Sequence, residues 1–177
     1  MKTITKTSLN ALLVSLLCLG TGSTFAAEKA EKEDNRNPLG CNDSGYRFEL
    51  RTLHLLPGEV GDNQSMYFLF NKSNQAINLF QMRDEESSRS MYLNHAISAG
   101  QWAVLSTSEK QVKFICTIPD GKSPYGKMID CAENVNVCEY TNVRYGLNNR
   151  GNYWLVNSNT RNGAIREVVN YGIIPAQ

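Results

Sequence analysis

QVKFICTIPDGKSPYGKMIDCAENVNVCEYTNVRYGLNNRGNYW, residues 111–154, is the stretch that settles how this chain is read. Val112, Phe114 and Cys116 alternate with Gln111 and Lys113, the period of a strand with one face in a core. Pro119-Asp120-Gly121 and Pro124-Tyr125-Gly126 then interrupt the pattern as turns do, and alternation resumes over residues 127–131 and 137–145. The stretch holds Cys116, Cys131 and Cys138, which make an even set with Cys41 upstream. Their spacings fit no paired CxxC zinc knuckle, so in an exported chain all four are expected to be oxidised into two disulfides. Four cysteines allow three pairings, and spacing does not choose among them. Two bridges are expected to tie the N-terminal edge of the domain to its centre.

Export is read from the N-terminus. Residues 1–26 carry Lys2 and Lys6, an apolar run over residues 11–19, and small residues leading to Thr24-Phe25-Ala26, the three parts of a cleaved secretory signal. The run is too short to span a bilayer, which takes about 20 apolar residues. Cys18 is not a lipidation site, because the residue before it, Leu17, is large. No later segment is apolar enough to anchor the chain, so no membrane span is expected. Residues 27–40 are charged and end in Asn37-Pro38-Leu39-Gly40, which predicts a flexible leader. The domain proper is residues 41–177. Removing residues 1–26 takes two lysines and no acids from 18 Lys+Arg and 17 Asp+Glu, leaving a formal net charge of −1. A near-neutral surface provides no electrostatic footprint for nucleic acid.

Upstream of the deciding stretch, Tyr46, Phe48 and Leu50 alternate with Arg47, Glu49 and Arg51, after which the phase slips to Leu53 and Leu55, predicting a bulged strand. Residues 65–70 (SMYFLF) are continuously apolar and predict a central strand covered on both sides, with residues 76–82 as its hairpin partner. Residues 83–90 are polar and read as a loop or one helical turn. Residues 91–97 and 101–106 read as strands, with Trp102 or Ala103 facing the core. Downstream, Asn- and Gly-rich turns at residues 146–151 and 158–163 flank a strand at residues 152–157, and residues 164–174 read as a last strand. About nine or ten short strands with no substantial amphipathic helix predict an all-β, single-domain β-sandwich, Ig-like or barrel-like, with two disulfides.

Chemistry is hard to find. His54 and His95 are the only histidines, no GxSxG elbow accompanies them, and each sits among apolar strand residues, so both read as packing or surface groups. The acidic run Asp84-Glu85-Glu86 lacks the alternating ligands and glycine of a calcium loop and reads as solvated, with Arg83 and Arg89 beside it. No cofactor, metal site or enzymatic activity is expected. Asn42, Asn63 and Asn71 each open an Asn-X-Ser acceptor pattern, of a kind that arises by chance in a chain rich in Asn and Ser. The candidate binding surface is residues 144–161. Arg144, Asn149, Arg150 and Arg161 offer hydrogen bonds and forks for carboxylates, and Tyr145, Tyr153 and Trp154 offer rings to stack on a sugar or peptide.

CNDSGYRFELRTLHLLPGE, QMRDEESSRSMYLNH, QWAVLSTSEKQVKFICTIPDGKSPYG and VCEYTNVRYGLNNRGNYWLVNSNTRNGA together resemble the enhanced-entry protein B family, exported proteins of intracellular Gram-negative bacteria. The resemblance covers most of the chain from Cys41 onward and brings no catalytic signature. It implies a periplasmic or secreted protein that works with a protein partner in the envelope, a larger enhanced-entry protein built of helical repeats, in host-cell entry or intracellular persistence. The function expected is therefore a non-enzymatic binding or scaffolding module connected with virulence. The alternatives are an inhibitor of a lysozyme or peptidoglycan-cleaving hydrolase and, after that, an enzyme acting on envelope polysaccharide through paired carboxylates.

Overall fold

The computed structural model describes residues 36–57, 65–85, 88–141, 143 and 151–176. Residues 1–26, read as a signal peptide, lie outside them, as do residues 27–35 of the leader. Arg36 to Gly40 are described, and Pro38 is buried against the domain, its carbonyl accepting from Cys41 N at 3.0 Å.

The described residues form strands β1 (Cys41–Asn42), β2 (Tyr46–Glu49), β3 (Thr52–Leu55), β4 (Ser65–Asn71), β5 (Ile77–Glu85), β6 (Ser88–Ile97), β7 (Trp102–Thr107), β8 (Val112–Ile118) and β9 (Lys127–Ile129). Helix α1 (Cys131–Asn134), β10 (Val135–Tyr140), β11 (Asn152–Ser158) and helix α2 (Arg161–Asn170) follow. A front sheet in the order β1-β10-β4-β7-β11 packs on a back sheet in the order β2-β3-β8-β5-β6, with β9 also paired to β8. All pairings are antiparallel, and the expected all-β sandwich is the fold.

The continuous apolar run of β4 has a simple cause. Tyr67 and Leu69 point between the sheets, into a core shared with Leu53, Leu79, Leu105 and Phe114. Met66, Phe68 and Phe70 point the other way, into a second layer with Trp102, Val104 and Val156 beneath α2. Burying each of these side chains stabilises the fold by roughly 1.5–3 kcal/mol, so both faces of the strand must be apolar. Trp102 and Ala103 are likewise both buried, each in a different layer.

Several local expectations are corrected. β4 does not pair with β5; its neighbours are β10 and β7, and the chain crosses to the back sheet at residues 72–76. Asn71 holds that crossing together with the one from β6 to β7, its Nδ2 lying 2.7–3.1 Å from the carbonyls of Gln75, Ile97 and Ser98. The phase slip after Phe48 is a two-residue hairpin turn, not a bulge: Glu49 pairs with Thr52, and Leu50 and Arg51 both have positive φ. Within residues 83–90, β5 continues to Glu85 and β6 begins at Ser88, because cross-strand pairing overrides the polar composition.

The largest correction is at the C-terminus, where α2 replaces the strand expected over residues 164–174. Thr160 caps the helix by accepting from Gly163 N at 3.0 Å, and Ala164 and Val168, four residues apart, are buried on the front sheet. The β-branched residues that suggested a strand instead line one side of the helix and its exit, with Ile173 and Ile174 completing the layer.

Oxidation pairs Cys41 with Cys138 and Cys116 with Cys131. Of the two, Cys41–Cys138 ties the N-terminal edge to the centre of the chain. Cys116–Cys131 closes a separation of 15 residues, joining β8 to α1 inside the inter-sheet core.

Candidate functional site

One flank of the sandwich is closed by side chains. There the edge strand of the back sheet, β6, meets the edge strand of the front sheet, β11. Gln81, buried on β5, is the hub: its Oε1 accepts from Tyr92 OH (2.6 Å), Asn152 Nδ2 (2.9 Å) and Asn94 Nδ2 (3.0 Å), and its Nε2 donates to Glu109 (3.0 Å). Asn94 Oδ1 accepts from Trp154 Nε1 at 2.6 Å. His95 stacks on Trp154 with ring centres 4.0 Å apart, and its Nε2 donates to Asn157 Oδ1 at 2.9 Å. Two bulges make this possible. The extra residue Asn94 lets successive β6 residues reach the interior, and an extra residue at Leu155 turns Leu155 and Val156 toward the α2 layer while Trp154 stays inside. Burial holds the His95 imidazole below its ordinary pKa, and the Asn157 bond partly opposes that effect.

This network takes up part of the binding surface expected from sequence. Trp154 lies in the interior, and Tyr153, the preceding residue of the same strand, points to the opposite face. Arg161 opens α2. Those three do not form one cluster, and Arg144, Tyr145, Asn149 and Arg150 lie outside the described residues. His54 is buried, with Thr52 Oγ1 2.8 Å from Nε2 and Gln111 Nε2 3.4 Å from Nδ1. Thr52 gives its own proton to the Glu49 carbonyl, so Nε2 of His54 is the donor. Among the described residues no group of three or more His, Cys, Asp or Glu side chains comes together; the side chains of Asp84, Glu85 and Glu86 are outside that description. Asn71 is fully buried with its amide engaged, Asn42 is exposed and Asn63 is not described.

The opposite flank is open. A groove of about 440 Å³ lies between β2 and β10, lined by Tyr46, Phe48, Val135 and Val137, with Arg36, Asn37 and Asp43 also lining it. Asp43 accepts from Asn37 (2.9 Å) and Tyr46 OH (3.4 Å), and burial together with Asp43 raises the Tyr46 pKa. Nearby, the buried Glu139 carboxylate faces Tyr67 OH at 3.3 Å and Ser44 Oγ at 3.5 Å. The chain passes over it at Gly45, where φ is +72° and any Cβ would collide with the carboxylate.

The outer faces of the two sheets differ most. On the front sheet, α2, Ile173 and Ile174 cover the apolar layer. On the back sheet, ladder register sets Phe80 between Ile115 and Leu93, with Met82 beside Met91 in the adjoining row and Met128 beside Thr117 on the other side. Tyr125 packs edge-on against Phe80 at 5.7 Å and leaves it only 4% exposed; among the described residues no helix covers the rest of the face, where Leu93 is 52% exposed, Tyr125 50% and Met128 43%. Sequence reading missed this face because Met82, Leu93 and Met128 look like ordinary strand residues, and only the placement of α2 shows which sheet lacks a cover.

No protein-family model, curated protein or solved structure matches this chain. The two disulfides point to an oxidising, extracytoplasmic environment. No helix among the described residues is long and apolar enough to cross a membrane.

Proposed function

We propose that this protein is an exported, non-enzymatic binding or scaffolding module of the enhanced-entry type. It works in the periplasm or outside the cell in support of host-cell entry or persistence, and its protein partner docks on the bare outer face of the back sheet. The observation that carries this reading is the asymmetry of the sandwich. Exposed apolar side chains grouped on one face are a feature of interaction sites on soluble domains, and Met and aromatic side chains suit adaptable contacts. The seam at Gln81 and Trp154 supports the reading by fixing β6, so the face is rigid before a partner arrives. The test is photo-crosslinking in cells from residue 93 or 128, with position 171, exposed just past the end of α2, as the control. A discrete adduct at the two face positions and none at the control is expected; adducts at the control alone, or at no position, overturn it.

A second reading, inhibition of a lysozyme or peptidoglycan-cleaving hydrolase, is favoured by the Leu50-Arg51 tip. Leu50 is 86% exposed on a tight turn, the shape of a side chain inserted into a cleft. Adding the purified protein to a muramidase assay tests it, with loss of inhibition in Leu50→Asn as the expected companion result.

A further inference from the structure

Resting on the binding-module reading, we propose that the bare face of the back sheet seats an amphipathic helix of the partner, one whose apolar stripe is flanked by carboxylates. The occupant is constrained by hydrogen bonding. Interior strands have spent their backbone groups on ladder bonds, so the face offers a visitor apolar side chains and almost no backbone donors or acceptors. An extended segment laid flat there would bury its own peptide groups unpaired, at a cost of roughly 1–3 kcal/mol each. A helix satisfies its backbone internally and brings only side chains.

Size points the same way. The patch spans the three inter-strand intervals from β9 to β6 and about two residue steps along the strands. At strand spacings near 4.8 Å and about 3.4 Å per residue this outlines roughly 14 by 7 Å, on the order of 100 Å². A stable subunit interface takes about 800 Å² from each partner, so the face is too small to hold a second copy by itself. A helix of three turns is about 15 Å long and 10 Å across, which fits. The molecule shows the same solution on its other side, where ten-residue α2 covers the front sheet with Ala164 and Val168.

Charge selects the flanks. Lys113 stands on the face in the row of Met82 and Met91, and Lys122 belongs to the loop that carries Tyr125. Neither has an ion pair among the described residues. Among the described acidic side chains near the face, Glu49 pairs with Arg47 at 3.2 Å, and Asp120 accepts from the backbone N–H groups of Lys122 and Ser123. The face therefore complements Asp or Glu beside an apolar stripe.

The test uses the oxidised full chain and a helix-stabilised peptide of about 14 residues with leucines on one face and glutamates beside them. Comparison peptides scramble the leucines, replace Glu by Lys, or break the helix with proline. We expect the acidic amphipathic helix to bind about tenfold or more tighter than each comparison peptide, and Leu93→Ser with Met128→Ser to weaken it by at least about tenfold. Lys113→Glu should shift preference toward the Lys-flanked peptide. Both serine positions are exposed, and unchanged near-UV dichroism verifies that the variants fold. Equal binding of the scrambled or proline peptide overturns the proposal, as does a dimer in sedimentation that Leu93→Lys dissolves. If crosslinks still form at the face while no helical peptide is preferred, the helix is wrong and the docking face stands; if crosslinks also fail, both fall.

Discussion

Leu50 and Arg51 sit at φ +47° and +69°, where a side chain crowds its own backbone, and they form the two-residue turn between β2 and β3. The left-handed region costs a non-glycine residue about 1–2 kcal/mol, and turns of this shape favour Asn-Gly. Leu50→Asn with Arg51→Gly is therefore expected to stabilise the domain by about 1–2 kcal/mol, read as a higher urea midpoint at unchanged slope. His95 makes the opposite kind of statement. Its pKa lies below the ordinary 6.5 because burial disfavours the charged ring, so the folded state prefers the neutral form more than the unfolded chain does. That stabilisation is complete above 6.5 and is lost as pH falls through the lower, folded value. The urea midpoint should drop between about pH 7.5 and pH 5, and His95→Phe, which keeps a ring on Trp154 without a titrating nitrogen, should drop less. Equal drops would remove His95 from the explanation.

At the scale of elements, α2 separates what composition reveals from what it hides. Ile165, Val168, Val169, Ile173 and Ile174 have strand propensity, yet the chain places all five on a helix and its exit, because Thr160 caps and the spacing of Ala164 and Val168 matches one face. The cap, Thr160 accepting from Gly163 N, falls inside residues 158–163, whose Asn and Gly read as a hairpin turn. Removing it with Thr160→Ala is expected to cost about 1 kcal/mol and to raise amide exchange first in α2, leaving β8 and β5 protected. The apolar continuity of residues 65–70 was legible for the opposite reason, since both neighbours of β4 are layers of apolar side chains and no solvent face interrupts the pattern. Pairing partners were not legible. Asn71 joins two crossings through contacts 26 and 27 residues away in sequence, and no local signal encodes such a pair. Nor did the sequence show the seam, in which Gln81, Asn94, Asn152 and Trp154 meet only after two bulges turn them inward.

For the molecule as a whole, the two bridges constrain different things, and the difference can be measured. Cys41–Cys138 closes a separation of 97 residues and fixes the first strand to the front sheet, whereas Cys116–Cys131 closes 15 residues between β8 and α1. Chain-entropy reasoning assigns about 4.7 kcal/mol to a loop near 100 residues and about 3 kcal/mol to one of 15. Replacing Cys41 and Cys138 together by Ala should therefore destabilise the domain more than replacing Cys116 and Cys131 together. Packing works against that order. Cys116 and Cys131 are both fully buried in the inter-sheet core, so removing them leaves a void among Phe114, Leu79 and Val135, while Cys41 is only partly buried. Void terms of about 1–2 kcal/mol are comparable to the entropic gap, so the ranking of urea midpoints decides which contribution governs. The long loop is expected to win, because the unfolded chain with Cys116–Cys131 alone keeps nearly all of its freedom. If the core pair proves costlier, packing around Phe114, and not the tether on β1, holds the two sheets in register.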